Sequence, residues 1–397
     1  MKNFFLTIVV LLFAQIAFCQ DVASRPVNNY ARVDKIALQL PADQVKTTQD
    51  IADYVNTHFV GGVDRARAIF IWVASNIQYD VANMFNVNFY ESRQDKIDRV
   101  LSTHKGICEN YAAIFCDVAN KCGIKSFVVE GYDKQNGFTD YLPHAWCAGL
   151  VNNTWYLFDP TWGAGYVSNH QFVKKINNDL FMVPPGQLIK SHMPFDPMWE
   201  LLYYPVTNQD FAAGKTGEDN SKPYFSYPDS IAVYEKENEQ QQMVSEVRRL
   251  QANGVNGSLV FDRLQHLKNT IDVNSRNRNV SEYNTAAADY NDAVNLYNEF
   301  INYYNVQFKP TKPDTEIQHM TDTTQASLSA ARVHLAAISE ADAPTLALIN
   351  SLQTSITELQ KHVDEQKDFV AKYIGKSKMG RKLMFNKYTW MGIPLNK

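Results

Sequence analysis

Pro143-His144-Ala145-Trp146-Cys147-Ala148-Gly149-Leu150-Val151-Asn152-Asn153-Thr154-Trp155-Tyr156-Leu157-Phe158-Asp159-Pro160-Thr161-Trp162 is the stretch that decides how the chain is read. Two strand-like runs, His144 to Val151 and Thr154 to Phe158, flank Asn152-Asn153, a pair that tolerates the positive φ angles of a two-residue hairpin. If Val151 and Thr154 close that turn, Trp146 opposes Asp159. His144 is then diagonal to Asp159 on one sheet face, roughly 7 to 8 Å between α-carbons and within side-chain reach. A bulge at Gly149 would shift this register. Cys147, an odd number of residues from His144, points to the opposite face and into the core.

Upstream, Gly106-Ile107-Cys108 leads into Glu109-Asn110-Tyr111-Ala112-Ala113-Ile114-Phe115, whose apolar spacing is helical, so Cys108 starts a helix. The positive end of a helix dipole favours an anion there, which makes Cys108 the candidate nucleophile. His144 would take or share its proton, and Asp159 would fix the imidazole tautomer. Cys116 lies eight positions on, about 12 Å along a helix axis, too far for a disulfide. Cys116, Cys122 and Cys147 read as buried thiols, which behave as small hydrophobes. His104 reads as a loop histidine, and His58, His170 and His192 have no partner at ligand spacing. No Cys/His ladder has zinc spacing, so neither a metal nor a cofactor is expected.

The order Gly-x-Cys at a helix start, His-Ala-Trp on a strand, then Trp-Tyr-Leu-Phe-Asp-Pro-Thr-Trp resembles the transglutaminase-like superfamily, which has a papain-type core. It is most similar to the branch that holds the muscle KY protein and a yeast cytokinesis protein. The resemblance covers about residues 64–165 and extends more loosely to His192-Met193-Pro194-Phe195-Asp196-Pro197-Met198-Trp199. It implies an α+β fold in which a helix bearing Cys108 packs on an antiparallel sheet bearing His144 and Asp159. It implies Cys108 as nucleophile, His144 as general base and Asp159 as orienting acid. An oxyanion donor is expected from the Cys108 backbone amide and a second one upstream, with Gln78 and Tyr79 as candidates. Trp162 could line the cleft.

The implied chemistry is acyl transfer from a protein or peptide amide, as peptidase, transglutaminase or deamidase. The alternative is a catalytically silent scaffold or binding module whose helical region contacts a partner protein or a cell-envelope component.

Composition narrows the remaining possibilities. The 397 residues are 45% hydrophobic and 20% charged, normal for a globular protein, and a net charge of −4 gives no polyanion-binding surface, so nucleic acid is not an expected partner. Lys2, the apolar run Phe4 to Phe13, and Ala17 and Cys19 as small residues before a cleavage point read as a signal peptide over residues 1–19. Export to the periplasm or outside the cell follows, without a transmembrane span after cleavage. A lipoprotein, acylated at Cys19, is disfavoured by bulky Phe18.

Residues 22–207 read as the transglutaminase-like domain and the polar stretch 208–228 as a linker. Residues 229–375 read as a bundle of about four long helices, on heptad-like spacing such as Leu352, Ile356, Leu359 and Val363. That bundle would serve partner contact or self-association. Residues 376–397 read as a basic tail.

Overall fold

The computed structural model describes residues 30–84, 92–134 and 142–385. The segment read as a signal peptide and the end of the segment read as a basic tail lie outside them. The chain divides into two compact units, the first running to Ala232 together with Asn253–Leu259, the second made of Val233–Ala252 and the chain from Val260 on.

The first unit opens with helices α1 (Ala31–Ala37), α2 (Thr48–His58) and α3 (Gly62–Asn76), followed by the short strand β1 (Gln78–Tyr79). Thr47 and Asp50 cap the start of α2 reciprocally, each accepting from the other's backbone N–H. Helix α4 (Arg93–Thr103) ends at His104, whose φ of 54° turns the chain into β2 (Lys105–Gly106), and β2 pairs in parallel with β1. Helix α5 (Cys108–Lys121) follows at once. Its apolar face, including Ala112, Phe115 and Ala119, is buried in the core with Ile69 and Phe70 of α3.

The sheet is antiparallel and four-stranded: β3 (Ser126–Asp133), β4 (Leu142–Val151), β5 (Thr154–Phe158) and the later edge strand β8 (His192–Pro194), in the order β5-β4-β3-β8. Asn152 and Asn153 adopt φ of 50° and 62°, as the hairpin turn requires. The pairing Val151 with Thr154 runs without a bulge through Gly149 with Tyr156 to Cys147 with Phe158. Cys147 is buried and donates its thiol to the Ala112 carbonyl of α5 at 3.6 Å, on the core face as its parity predicts. Helix α6 (Pro160–Ala164), strands β6 (Gly165–Ser168) and β7 (Gln171–Lys174) and helix α7 (Pro185–Leu188) lead to β8 (His192–Pro194).

Residues 208–228 are not a free linker. Helix α8 (Asn208–Ala212) buries Phe211 against Tyr132, whose hydroxyl donates to Asn208 at 2.7 Å; Lys222 pairs with Asp210, and Tyr224 stacks on Tyr203. A polar composition conceals these few anchoring side chains.

The second unit is helical. After α9 (Tyr227–Tyr234), which reaches it from the first unit, come α10 (Glu239–Ala252), the 48-residue α11 (Ser258–Asn305), α12 (Asp314–Ala337) and α13 (Ala343–Ile374). Ala286 and Ala293 of α11, Leu328 and Ala331 of α12, and Ile349, Ile356 and Val363 of α13 share one core. Asp342 caps α13, and Pro344 sits in its first turn. A last helix, α14 (Lys378–Leu383), is docked: Arg381 reaches both carboxylate oxygens of Asp314 and lies over the Tyr373 ring. Among the described residues no helix is long and apolar enough to cross a membrane.

Candidate active site

Cys108 is the first residue of α5, and the turn before it is tightly specified. The Asn110 carbonyl accepts the Ile107 N–H at 2.8 Å, closing back on the helix start. That side chain leaves no room for a Cβ at Gly106, which would fall 2.9 Å from Asn110 Cβ. The Tyr111 hydroxyl donates to the Ile77 carbonyl at 2.8 Å, tying the helix to the end of α3. Cys108 is half-buried, while Cys116, Cys122 and Cys147 are buried, and all four are free thiols.

His144 sits on β4 opposite Gly131 of β3. A Cβ at Gly131 would fall 2.2 Å from the Met193 carbonyl and 2.6 Å from the Trp146 ring, so glycine lets β8 and Trp146 close over this part of the sheet. Asp159 follows β5 and caps α6. One of its oxygens accepts the backbone N–H of Thr161 at 2.9 Å and of Trp162 at 3.0 Å, an arrangement that Pro160 at the first helical position favours.

The other oxygen, Oδ2, lies 2.9 Å from His144 Nε2. A carboxylate can only accept, so His144 carries its proton on Nε2 and directs Nδ1 elsewhere. Cys108 lies close enough to His144 to act on its imidazole. Cys108, His144 and Asp159 are therefore brought together in the order the sequence implies.

A fourth residue joins them. His192, at the start of β8, places Nε2 3.1 Å from the same Asp159 oxygen, and Ser191 Oγ lies 2.8 Å from its Nδ1. The expectation that His192 has no partner is corrected here. Strand β8 returns to the sheet edge beside β3, with Asp133 opposite His192, a neighbourhood that sequence distance hides. The available signal was the His-Met-Pro-Phe-Asp-Pro-Met-Trp segment of the family resemblance. Asp133 was also missed; it is buried, with one oxygen 3.9 Å from His144 Nδ1.

Burial drives the electrostatics. It would push the His144 imidazolium down, but the Asp159 charge, with the hydrogen bond to Asp159 and the nearby Cys108, outweighs it and holds His144 well above the usual histidine range. Burial pushes the Asp159 carboxyl up; His144 first and His192 second overcome that and hold it below the usual carboxylate range. His192 goes the other way: burial lowers it, the hydrogen bond to Asp159 opposes this incompletely, and the charge of His144 adds to the lowering. The cluster thus carries a charged His144, an ionised Asp159 and a neutral His192.

The donor atoms of His144, Asp159 and His192 lie within 4.8 Å of one another, a set that could hold a cation. Doing so would require both Nε2 atoms to shed their protons and leave Asp159.

Trp162 is half-buried, its ring 5.7 Å from that of His144 and 4.7 Å from that of His192. Gln78, one of the two upstream candidates, has its side chain exposed on β1, and its backbone N–H serves the His104 carbonyl. Its neighbour Tyr79 is the group coupled to the site. After burial, the charge of Cys108 is the largest cause that pushes the Tyr79 hydroxyl far up.

Residues 43–160 match the model of the transglutaminase-like superfamily. This part of the chain is a transglutaminase-like domain. The chain is 31% identical over 157 residues to the human "Kyphoscoliosis peptidase", an alignment covering 38% of this chain and 23% of that one. It is 24% identical over 199 residues to "Hillarin" of Drosophila melanogaster, covering 45% of this chain and 24% of that one. A solved structure described as a TGase aligns at 17% identity and a TM-score of 0.24, covering 38% of each chain. The chain spans about a quarter of the length of these curated relatives. The transglutaminase-like domain is followed by the helical second unit.

Proposed function

We propose that the chain is an exported thiol enzyme that transfers the acyl group of a protein or peptide amide through Cys108, with His144 as base and acid and Asp159 as its orienting partner. One observation carries this reading: the buried Asp159 holds His144 by Nε2, which leaves Nδ1 for a thiol at the first turn of a helix. His144, as the imidazolium, holds the proton that Cys108 has given up. The thiolate attacks the amide carbonyl carbon, and the tetrahedral oxyanion is met by the Cys108 backbone N–H. As the C–N bond breaks, His144 returns the proton to the leaving amine. Water or a second amine, deprotonated by His144, then releases the acyl group and restores the thiol. Export is supported by the apolar N-terminal segment and its small residues at the cleavage point.

The test is the rate of iodoacetamide labelling at each cysteine against pH, followed by peptide mass spectrometry. Burial pushes the Cys122 thiol up to about 11 and Cys147 well above the usual thiol range, so both should label slowly in the folded protein. Cys108 should label fastest of the four, and His144→Ala should slow it by about a hundredfold near neutral pH. Equal rates at Cys108 in the two proteins would overturn the reading. Attention would then pass to the helical unit as the functional part of a silent scaffold.

A further inference from the structure

We propose that His192 is a positioning residue for the Cys108–His144 pair: its Nε2–H holds the Asp159 carboxylate, and Ser191 fixes the tautomer that lets it do so. This rests on the acyl-transfer reading above.

The geometry of Asp159 motivates it. A carboxylate offers about four acceptor positions, and here four donors fill them: two backbone N–H groups of α6 on Oδ1, and the imidazoles of His144 and His192 on Oδ2. Three separate elements, α6, β4 and β8, therefore fix one side chain that is wholly buried. Without the His192 donor, Oδ2 keeps a single partner in a place water does not reach. The carboxylate is then free to tilt away from the angle at which it presents His144 to Cys108.

His192 suits this task because it holds without adding charge. Since Oδ2 only accepts, His192 must carry its proton on Nε2, leaving Nδ1 to accept the Ser191 Oγ–H at 2.8 Å. A charged ring here would repel that of His144, whose centroid is 5.4 Å away. Burial and that same neighbour keep His192 neutral. The charged or titratable groups facing it are Asp159 from the cap of α6, His144 from β4 and Asp133 across the β3 ladder. Lys134, next along β3, lies over the Phe211 ring instead. Trp146 and Trp162 meet the His192 ring edge to face, at 5.2 and 4.7 Å, and fix its plane.

The experiment compares His192→Leu, His192→Gln and Ser191→Ala with wild type and His144→Ala, all in the full chain. The readout is the pH profile of Cys108 labelling by iodoacetamide, with melting curves alongside. Leucine removes the donor and should slow Cys108 about tenfold near neutral pH, moving the midpoint up as His144→Ala does. Glutamine reaches as far as Nε2 and carries an N–H, so it should restore the rate to within about threefold of wild type. Ser191→Ala should cost about twofold to threefold, because the ring stays but its tautomer is less fixed.

Nitrogen-15 NMR of the imidazoles gives a second readout. Wild type should show two neighbouring N–H protons bonded to carboxylate, and His192→Leu should remove one and shift the other. If leucine destabilises the fold, the glutamine and serine variants decide with the wild-type spectrum. Suppose wild-type Cys108 is fast and His144→Ala slows it, yet His192→Leu labels like wild type, or glutamine rescues nothing in a protein of unchanged melting temperature. This proposal alone is then overturned. A wild-type Cys108 no faster than Cys122 would overturn the acyl-transfer reading beneath it.

Discussion

Asp159 and Asp368 each face a basic partner, the first with none of its side chain exposed and the second with 63% exposed. That contrast runs through the molecule. In the first unit Arg67, Asp133, His144, Asp159, His192 and Glu200 are all buried. In the second, the buried polar side chains among the described residues are Ser245, Asn279, Thr321 and Thr324. Pairs such as Arg276 with Asp272, Lys312 with Glu316 and Lys372 with Asp368 lie four residues apart and are exposed to solvent. Exposed pairs are worth about 0.2 to 1 kcal/mol, whereas removing one partner of a buried pair costs about 3 to 5. Charge kept inside at such cost marks where chemistry is to be sought. The helical unit, built on spaced apolar side chains, has the economy of an assembled structural element.

The sharpest way to break that contrast is Asp159→Ala. It strands two imidazoles and two helix N–H groups, and should destabilise the first unit by about 3 to 5 kcal/mol, read by denaturant or thermal unfolding. The loss should depend on pH in a stated way. The Asp159 carboxyl is held below its unfolded value, so its contribution is present above about pH 4 and fades as pH falls through the lowered value. His144 is held above its unfolded value, so its contribution is full below about pH 6.5 and fades as pH rises through the raised value. The difference between wild type and variant should therefore peak between about pH 4 and 6.5. A flat difference across that range would mean the cluster does not carry the charges assigned to it.

Next in size is Ile356→Ala, in the core shared by α11, α12 and α13. Truncating this buried side chain should cost the helical unit about 3 kcal/mol through lost burial and the cavity left behind. Cys108 labelling should be unchanged, because Ile356 belongs to the other compact unit. If labelling falls with helix content, the two regions are not separable and the contrast between them loses its functional meaning.

What could be read in the sequence follows the same division. The register from Val151 to Cys147 was legible because two asparagines fix a two-residue turn and strand parity does the rest. Helices α2, α3, α5 and α13 were legible from apolar spacing and caps. His192 was not, since a three-residue edge strand has no periodicity of its own and its partner β3 lies some sixty residues earlier. Nor was Asp133, an acidic residue at the end of β3 whose burial comes only from β4 and β8 closing on both sides. The anchoring of residues 208–228 by Phe211 and Tyr224 was lost for the opposite reason, because a few packed rings lie in a long polar stretch.

Glu200 gives the smallest test and the one that separates buried charge in use from buried charge in structure. It lies just after β8. One oxygen accepts the Val206 N–H at 2.7 Å, and the other is buried without a partner among the described residues. Burial is the largest influence and pushes its carboxyl well above the usual range, against the opposing pull of the Val206 N–H and Lys222. An acid so raised contributes stability fully below about pH 4.3, and that contribution is lost as pH rises through its folded value. Glutamine has the same shape and no proton to lose. Glu200→Gln should therefore melt like wild type near pH 4 and be more stable at pH 8 by about 1 kcal/mol, or roughly 2 to 4 °C. No contact joins Glu200 to Cys108, His144 or Asp159 among its described partners, so Cys108 labelling should not change. A variant less stable at both pH values would show that the carboxyl proton is itself donated to a partner, and Glu200 would then belong with Asp159 as a built hydrogen-bond centre.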